Sequence, residues 1–256
     1  MDRLILCFIF LLLSQCLYCQ RKMITLNESW KFFKGDSKGA ILPHYEDKNW
    51  ELLNLPHTWN SEDASKTRNY YRGIGWYRKT LYEPLHQGKR YYLYFEGANQ
   101  LTDVYVNGKF AGRHIGGYTG FGIDITNLLF YNKDSINVLS VKVDNRYNNN
   151  VAPLSGDFTF WGGIYRNVYF IELPPIHFSM NDHGSKGIFI ETPEVSSKSS
   201  FVHVKSEITN DGFSNKSVKI ESVITDEKGE IIQTFSTKAK LPAGKKSEIN
   251  MFSKKI

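Results

Sequence analysis

Apolar and polar positions alternate with a period of two along most of the chain, the pattern of strands that bury one face. The runs 75–81 (Gly-Trp-Tyr-Arg-Lys-Thr-Leu), 90–95 (Arg-Tyr-Tyr-Leu-Tyr-Phe) and 101–106 (Leu-Thr-Asp-Val-Tyr-Val) carry it most clearly, and 121–125 and 138–143 supply two more strands. Asn107-Gly108 follows the third run and predicts a tight hairpin, because both central residues of the favoured turn need positive φ. Residues 164–171, rich in Ile, Tyr, Val and Phe, read as a buried strand. The loop feeding it carries turn signals at Ser155-Gly156-Asp157 and Gly162-Gly163. No segment keeps an apolar period near 3.6 residues, so the reading is all-β. An antiparallel jelly-roll sandwich is predicted over 20–175 rather than a parallel α/β sheet.

Pro174-Pro175 marks a boundary, and the pattern changes beyond it. Runs 187–191, 201–208, 218–224 and 231–237 alternate strictly, with Lys, Ser and Thr outward, and turns fall at Asn210-Asp211-Gly212 and at 226–229. This predicts an immunoglobulin-like β-sandwich over 176–256, without the Cys-Trp-Cys core of antibody domains. About five strands fit where about seven are usual, so the second sandwich is expected to be incomplete within this sequence.

The first residues are of another kind. Met1-Asp2-Arg3 precedes an apolar run, 4–13, too short to span a bilayer. Residues 1–19 read as a signal peptide, which makes the product secreted or periplasmic. Acylation at Cys16 or Cys19, giving a lipoprotein at the cell surface, is the alternative. The three cysteines, Cys7, Cys16 and Cys19, all lie here, so a chain processed after Cys19 forms no internal disulfide.

Composition narrows the function classes. The net charge of +6 arises from 32 basic and 26 acidic residues spread along 256 positions, whereas nucleic-acid binding needs its charge gathered in a patch or stripe. The 5 Trp, 15 Tyr and 17 Phe suit a β-core or a stacking surface. The seven histidines lack zinc-ligand spacing, Gly116-Gly117-Tyr118-Thr119-Gly120 lacks the helix and Lys of a phosphate loop, and no Gly-x-Ser-x-Gly elbow occurs. No metal or cofactor is expected. Asp157, with Phe158, Phe160 and Trp161, leaves two readings open. Either the carboxylate holds its own turn and the rings are core, or a small polar ligand sits beside an aromatic platform.

Seven motifs, in order, carry a resemblance: 26–32 (Leu-Asn-Glu-Ser-Trp-Lys-Phe), 55–59 (Leu-Pro-His-Thr-Trp), 75–79 (Gly-Trp-Tyr-Arg-Lys), 95–99 (Phe-Glu-Gly-Ala-Asn), 104–108 (Val-Tyr-Val-Asn-Gly), 116–121 with Asp124-Ile125-Thr126, and 163–168 (Gly-Ile-Tyr-Arg-Asn-Val). From about residue 24 onward the chain resembles the N-terminal half of glycoside hydrolase family 2, which includes β-galactosidases, β-glucuronidases and β-mannosidases. The resemblance implies a jelly-roll sugar-binding domain and an immunoglobulin-like domain, followed in such enzymes by a (β/α)₈ barrel that carries both catalytic glutamates. It implies that Asn99 and Asp157 reach a sugar as accessory contacts. A carboxylate accepts hydrogen bonds from vicinal hydroxyls, and an amide both donates and accepts. The partner implied is a β-glycoside carbohydrate, with a β-galactosidase-like activity. The Phe-Thr-Phe-Trp run after Asp157 departs from the more polar run of the better-known β-galactosidases.

Retaining hydrolysis needs two carboxyl groups about 5–5.5 Å apart. No such pair is legible here, and no catalytic residue is assigned to this chain. Asn27-Glu28 imitates the family's acid/base dipeptide but precedes a strand near the start. Arg166, Trp76 and Trp30 are expected to be structural, with Arg166 paired inside the domain. Two functional classes stay open, the front of a secreted β-glycosidase and a stand-alone carbohydrate-binding module.

Overall fold

A computed structural model describes residues 21–66, 69–132, 134–156, 158–196 and 198–255. Residues 1–19, read from sequence as a signal peptide, and Asp157 therefore lie outside the described residues. Ten strands come first: β1 (Lys22–Thr25), β2 (Trp30–Lys34), β3 (Glu51–Leu53), β4 (Ile74–Leu81), β5 (Arg90–Phe95), β6 (Leu101–Val106), β7 (Lys109–Ile115), β8 (Phe121–Asp124), β9 (Asn137–Asp144) and β10 (Val168–Leu173). They form a six-stranded sheet, β3-β2-β4-β9-β6-β7, facing a four-stranded sheet, β1-β10-β5-β8. Every pairing is antiparallel, so the all-β sandwich holds.

Period-two alternation sorts the side chains between layers. In β5, Tyr91, Leu93 and Phe95 enter the main core, while Tyr92 and Tyr94 face out. From the opposite sheet Trp30, Tyr77, Val104, Leu139, Val141 and Val143 meet them. Burying each large apolar side chain contributes roughly 1.5–3 kcal/mol, and the rings interlock, with Phe95 stacked on Phe121 at 4.8 Å. The predicted hairpin joins β6 to β7, with φ of 52° at Asn107 and 81° at Gly108. Asn107 also braces its surroundings. Its Nδ2 donates to Leu128 O and Asn137 Oδ1, and its Oδ1 accepts from Val138 N.

Six further strands follow: β11 (Ile176–Phe178), β12 (Ile188–Glu191), β13 (His203–Asn210), β14 (Lys216–Thr225), β15 (Ile231–Leu241) and β16 (Lys245–Phe252). β13 pairs with β11, β12 and β16, and β14 pairs with β15. The sequence-based count of about five strands is one short of these six, and the four runs it named are β12 to β15; β11 is only three residues long, and the Lys-Ser-Glu composition of β16 hides its alternation. A core of Val204, Ile208, Ile220, Leu241, Ile249 and Met251 lies between these sheets. The two parts of the chain meet at the outer face of the four-stranded sheet. There Met180 packs on Tyr92, Ile171 and Leu173, Tyr92 OH donates to Asn181 Oδ1, and Arg90 binds Asp211 at 2.7 Å.

Candidate sugar-binding site

The long connection between β9 and β10 passes over one end of the first sandwich, and residues 160–163 lie in it without regular strand partners. Main-chain groups there need other partners, because an unpaired buried amide or carbonyl costs about 1–3 kcal/mol. Side chains supply them. Tyr70 OH accepts from Phe160 N at 2.8 Å, Asn145 Nδ2 donates to Phe160 O at 2.9 Å, and Asn60 Oδ1 accepts from Gly162 N at 2.8 Å. Thr58 Oγ1 donates to Gly162 O at 2.8 Å. Asn60 and Asn145 are themselves fully buried. Asn60 Nδ2 donates to Tyr71 O and Asp63, and Asn145 Oδ1 accepts from Gly73 N. The loop is thus fixed through its backbone by residues from three other stretches of chain.

Asn99 belongs to the same set. It is buried, its N–H donates to Gly163 O at 3.0 Å, and its Nδ2 donates to Trp161 O at 2.7 Å. Its Oδ1 lies 2.3 Å from where a Cβ on residue 117 would stand, so Gly117 leaves room for the amide. Gly163, at φ 119°, sits where a Cβ would come within 2.7 Å of His57 O. Asn99 lines a recess of about 460 Å³ together with Thr58, Ser61, Tyr118, Trp161 and Tyr165. Tyr165 OH donates to Gly117 O, which ties the far wall to the glycine turn.

The aromatic cluster divides. Phe160 is buried, whereas Phe158 is 52% and Trp161 42% exposed, and Tyr118 across the recess is also exposed. Reading all three rings as core therefore fails for Phe158 and Trp161; Trp161 lines the recess with Tyr118, while Phe158 packs on Phe160 at 5.1 Å beside it. Beneath the loop, His57 Nδ1 lies 2.8 Å from Tyr77 OH, and burial, aided by Lys34, pushes the imidazole down to about 4. Burial also raises the Tyr118 and Tyr165 phenols, so both remain protonated donors at neutral pH.

One expectation, that Arg166 pairs inside the domain, finds no ion pair to support it among the described residues. Arg166 is exposed and stands 5.6 Å over the Tyr165 ring. Asn27, half of the Asn-Glu dipeptide, is a brace: its Nδ2 donates to Asn167 Oδ1 and its Oδ1 accepts from Val168 N. Trp30 and Trp76 are buried, as structural residues should be. The anchors Thr58, Asn60, Tyr70 and Asn145 went unread, because their partners lie 15 to 104 residues away and nothing local signals them. Asp157 sits in sequence between Gly156 and Phe158, both of which line a neighbouring recess.

The antiparallel sandwich thus carries, at one end, a mostly apolar recess walled by Trp161, Tyr118 and Tyr165 that holds the Asn99 amide. Residues 25–174 match the model of glycosyl hydrolases family 2, sugar binding domain. The chain belongs to this family. It is 36% identical over 222 residues to a β-glucuronidase of Bacteroides fragilis, covering 86% of this chain and 30% of that protein. A β-galactosidase of Bacteroides ovatus is 31% identical over 241 residues, covering 91% and 27%. Among solved structures, the β-glucuronidase of Bacteroides uniformis superposes with a TM-score of 0.86 at 38% identity, covering 93% of this chain and 28% of that one. The chain thus spans less than a third of the length of these relatives.

Proposed function

We propose that the chain is the sugar-binding front of an exported family 2 β-glycosidase, holding one sugar of an O-glycoside at the Asn99 recess while a catalytic barrel in the rest of the polypeptide supplies the two carboxyl groups. The observation that carries the reading is the placement of Asn99. Its amide shares a recess with the Trp161 and Tyr118 rings, the mix of fixed polar group and stacking surface that sugars require. In this reading Asp157 is the second accessory contact, residues 1–19 direct export, and 176–256 form an immunoglobulin-like spacer. The relatives include both β-glucuronidases and β-galactosidases. Bacteroides uniformis β-glucuronidase 2, 38% identical in sequence, forms a covalent complex with a cyclophellitol-6-carboxylate aziridine. That carboxylated ligand, with the departure of the 158–161 run from a galactosidase pattern, favours a β-glucuronide over a β-galactoside as the sugar.

Hydrolysis is not assigned to these residues, since the described lining of the recess has no Asp or Glu. Calorimetry of the chain with methyl β-glucuronide and methyl β-galactoside tests the proposal. Binding near millimolar, about −4 kcal/mol, that weakens in Asn99→Ala is expected, with no turnover of any aryl glycoside. A micromolar constant, or affinity indifferent to Asn99→Ala, would overturn it.

A further inference from the structure

A second recess, of about 900 Å³, opens beside the first and shares Thr159 with it. Its character differs. Lys66, Tyr70 and Arg72 supply donors, Phe158 and Phe160 supply rings, and its described lining contains neither Asp nor Glu. Arg72 is held in a fixed pose. Its guanidinium lies 4.6 Å over the Phe160 ring, and its Nε donates to Asn145 O at 2.9 Å. Both contacts go to residues of the network that anchors the loop, so the arginine is as well placed as the loop itself.

Arg72 differs from the paired arginines of this sandwich in what it leaves unused. Arg78 spends Nε on Asp47 and its terminal nitrogens on Ala40 O, Ser140 Oγ and Pro43 O. Arg90, Arg113 and Arg146 each end on an aspartate. The terminal nitrogens of Arg72 have no hydrogen-bond partner among the described residues. Asp63, nearby in sequence, is taken by Asn60, Tyr71 N and Lys34. Tyr70 OH accepts from Phe160 N and keeps its own proton to donate. A planar fork whose terminal Nη1/Nη2 edge is unpaired among the described residues, preset by stacking, matches a carboxylate or sulfate oxyanion. An aromatic wall beside it suits the apolar face of a pyranose ring.

Resting on the sugar-binding reading of the Asn99 recess, we propose that the Arg72 recess binds an anionic substituent, a uronate carboxylate or a sulfate ester, on the glycan residue next to the sugar held at Asn99. The ligand class is therefore an acidic oligosaccharide, and Arg72 is a specificity residue for the unit beyond the first sugar.

The test uses the chain and three probes at low ionic strength: a β-linked glucuronate tetrasaccharide, its carboxyl-reduced counterpart, and a sulfate ester of that counterpart. Calorimetry should give about a tenfold tighter constant for the charged probes, the worth of one charge-assisted contact, and the preference should shrink as salt is added. Arg72→Gln should bring the ratio of charged-probe to reduced-probe affinity close to one. Lys66→Gln, on the exposed rim, should lower the preference only in part. Gain with both charged probes assigns a general oxyanion site, and gain with the glucuronate alone assigns a uronate site; either supports the proposal. Equal affinity for charged and reduced probes in the unmodified chain would overturn it without recourse to any variant. Asn99→Ala separates the two claims. It should weaken all three probes alike while the charged-to-reduced ratio stays intact, whereas failure of the underlying reading would leave all three unaffected.

Discussion

The two sandwiches follow the same alternation rule and differ in what they do with polar groups. The second is a thin stack in which six buried apolar side chains form the core and its faces are lined with Lys, Ser and Glu. The first buries many rings and, at one end, a set of asparagines whose partners are backbone groups far away in sequence. Buried polar groups of this kind are tolerated only when paired, and when paired they specify one arrangement. The difference teaches where the molecule requires precision. The second sandwich needs only to stay folded, while the end of the first must hold a loop in one place.

The comparison can be pressed hardest at the cores. Phe95→Ala should cost about 3–5 kcal/mol and Ile220→Ala closer to 2 kcal/mol, because the thinner stack collapses more readily around a lost side chain. Two denaturation transitions followed by tryptophan fluorescence and by circular dichroism would register the gap, and equal losses would erase the distinction. Next comes the network. Asn60→Ala leaves Gly162 N–H unpaired at about 1–3 kcal/mol, and the cost should appear as faster hydrogen exchange at 160–163 with the strands of 203–252 unaffected. A pH series gives a smaller effect. The His57 imidazole is depressed from 6.5 to about 4 in the folded chain, so the unfolded chain takes up the proton first. Stability is full above about pH 6.5, falls as the pH drops toward 4 and levels off below. Partial solvent access to the ring reduces the size of this loss, and a melting series with His57→Gln should flatten it. Smallest of all, Lys219→Ala removes an exposed ion pair to Glu221. Its melting midpoint should move by an amount matching less than about 0.5 kcal/mol.

The strands and the Asn107-Gly108 turn were legible because their signals are local, a period of two and a dipeptide that accepts positive φ. The shared recess was legible only in part. Asn99 was singled out through a motif, and the structure places it against Trp161. The reason Gly117 is glycine becomes visible only when Asn99 Oδ1 is seen beside it. Asn145 reads in sequence as an ordinary residue after a strand, and nothing near it names Phe160 or Gly73 as its partners. Arg72 is unremarkable in sequence for the same reason. What marks it is visible only in three dimensions, where its guanidinium is stacked on Phe160 and its terminal nitrogens meet no partner among the described residues.

One consequence follows from how the 160–163 segment is anchored. The asparagines, the threonine and the tyrosine all grip main-chain atoms, which every amino acid possesses, so these bonds do not depend on which side chains stand at 158, 159 and 161. Mutation can therefore rewrite the surface offered to a ligand without disturbing the path of the chain beneath it. Such a platform is a ready substrate for evolutionary drift, since selection can exchange one contact surface for another a residue at a time on an unchanging mount.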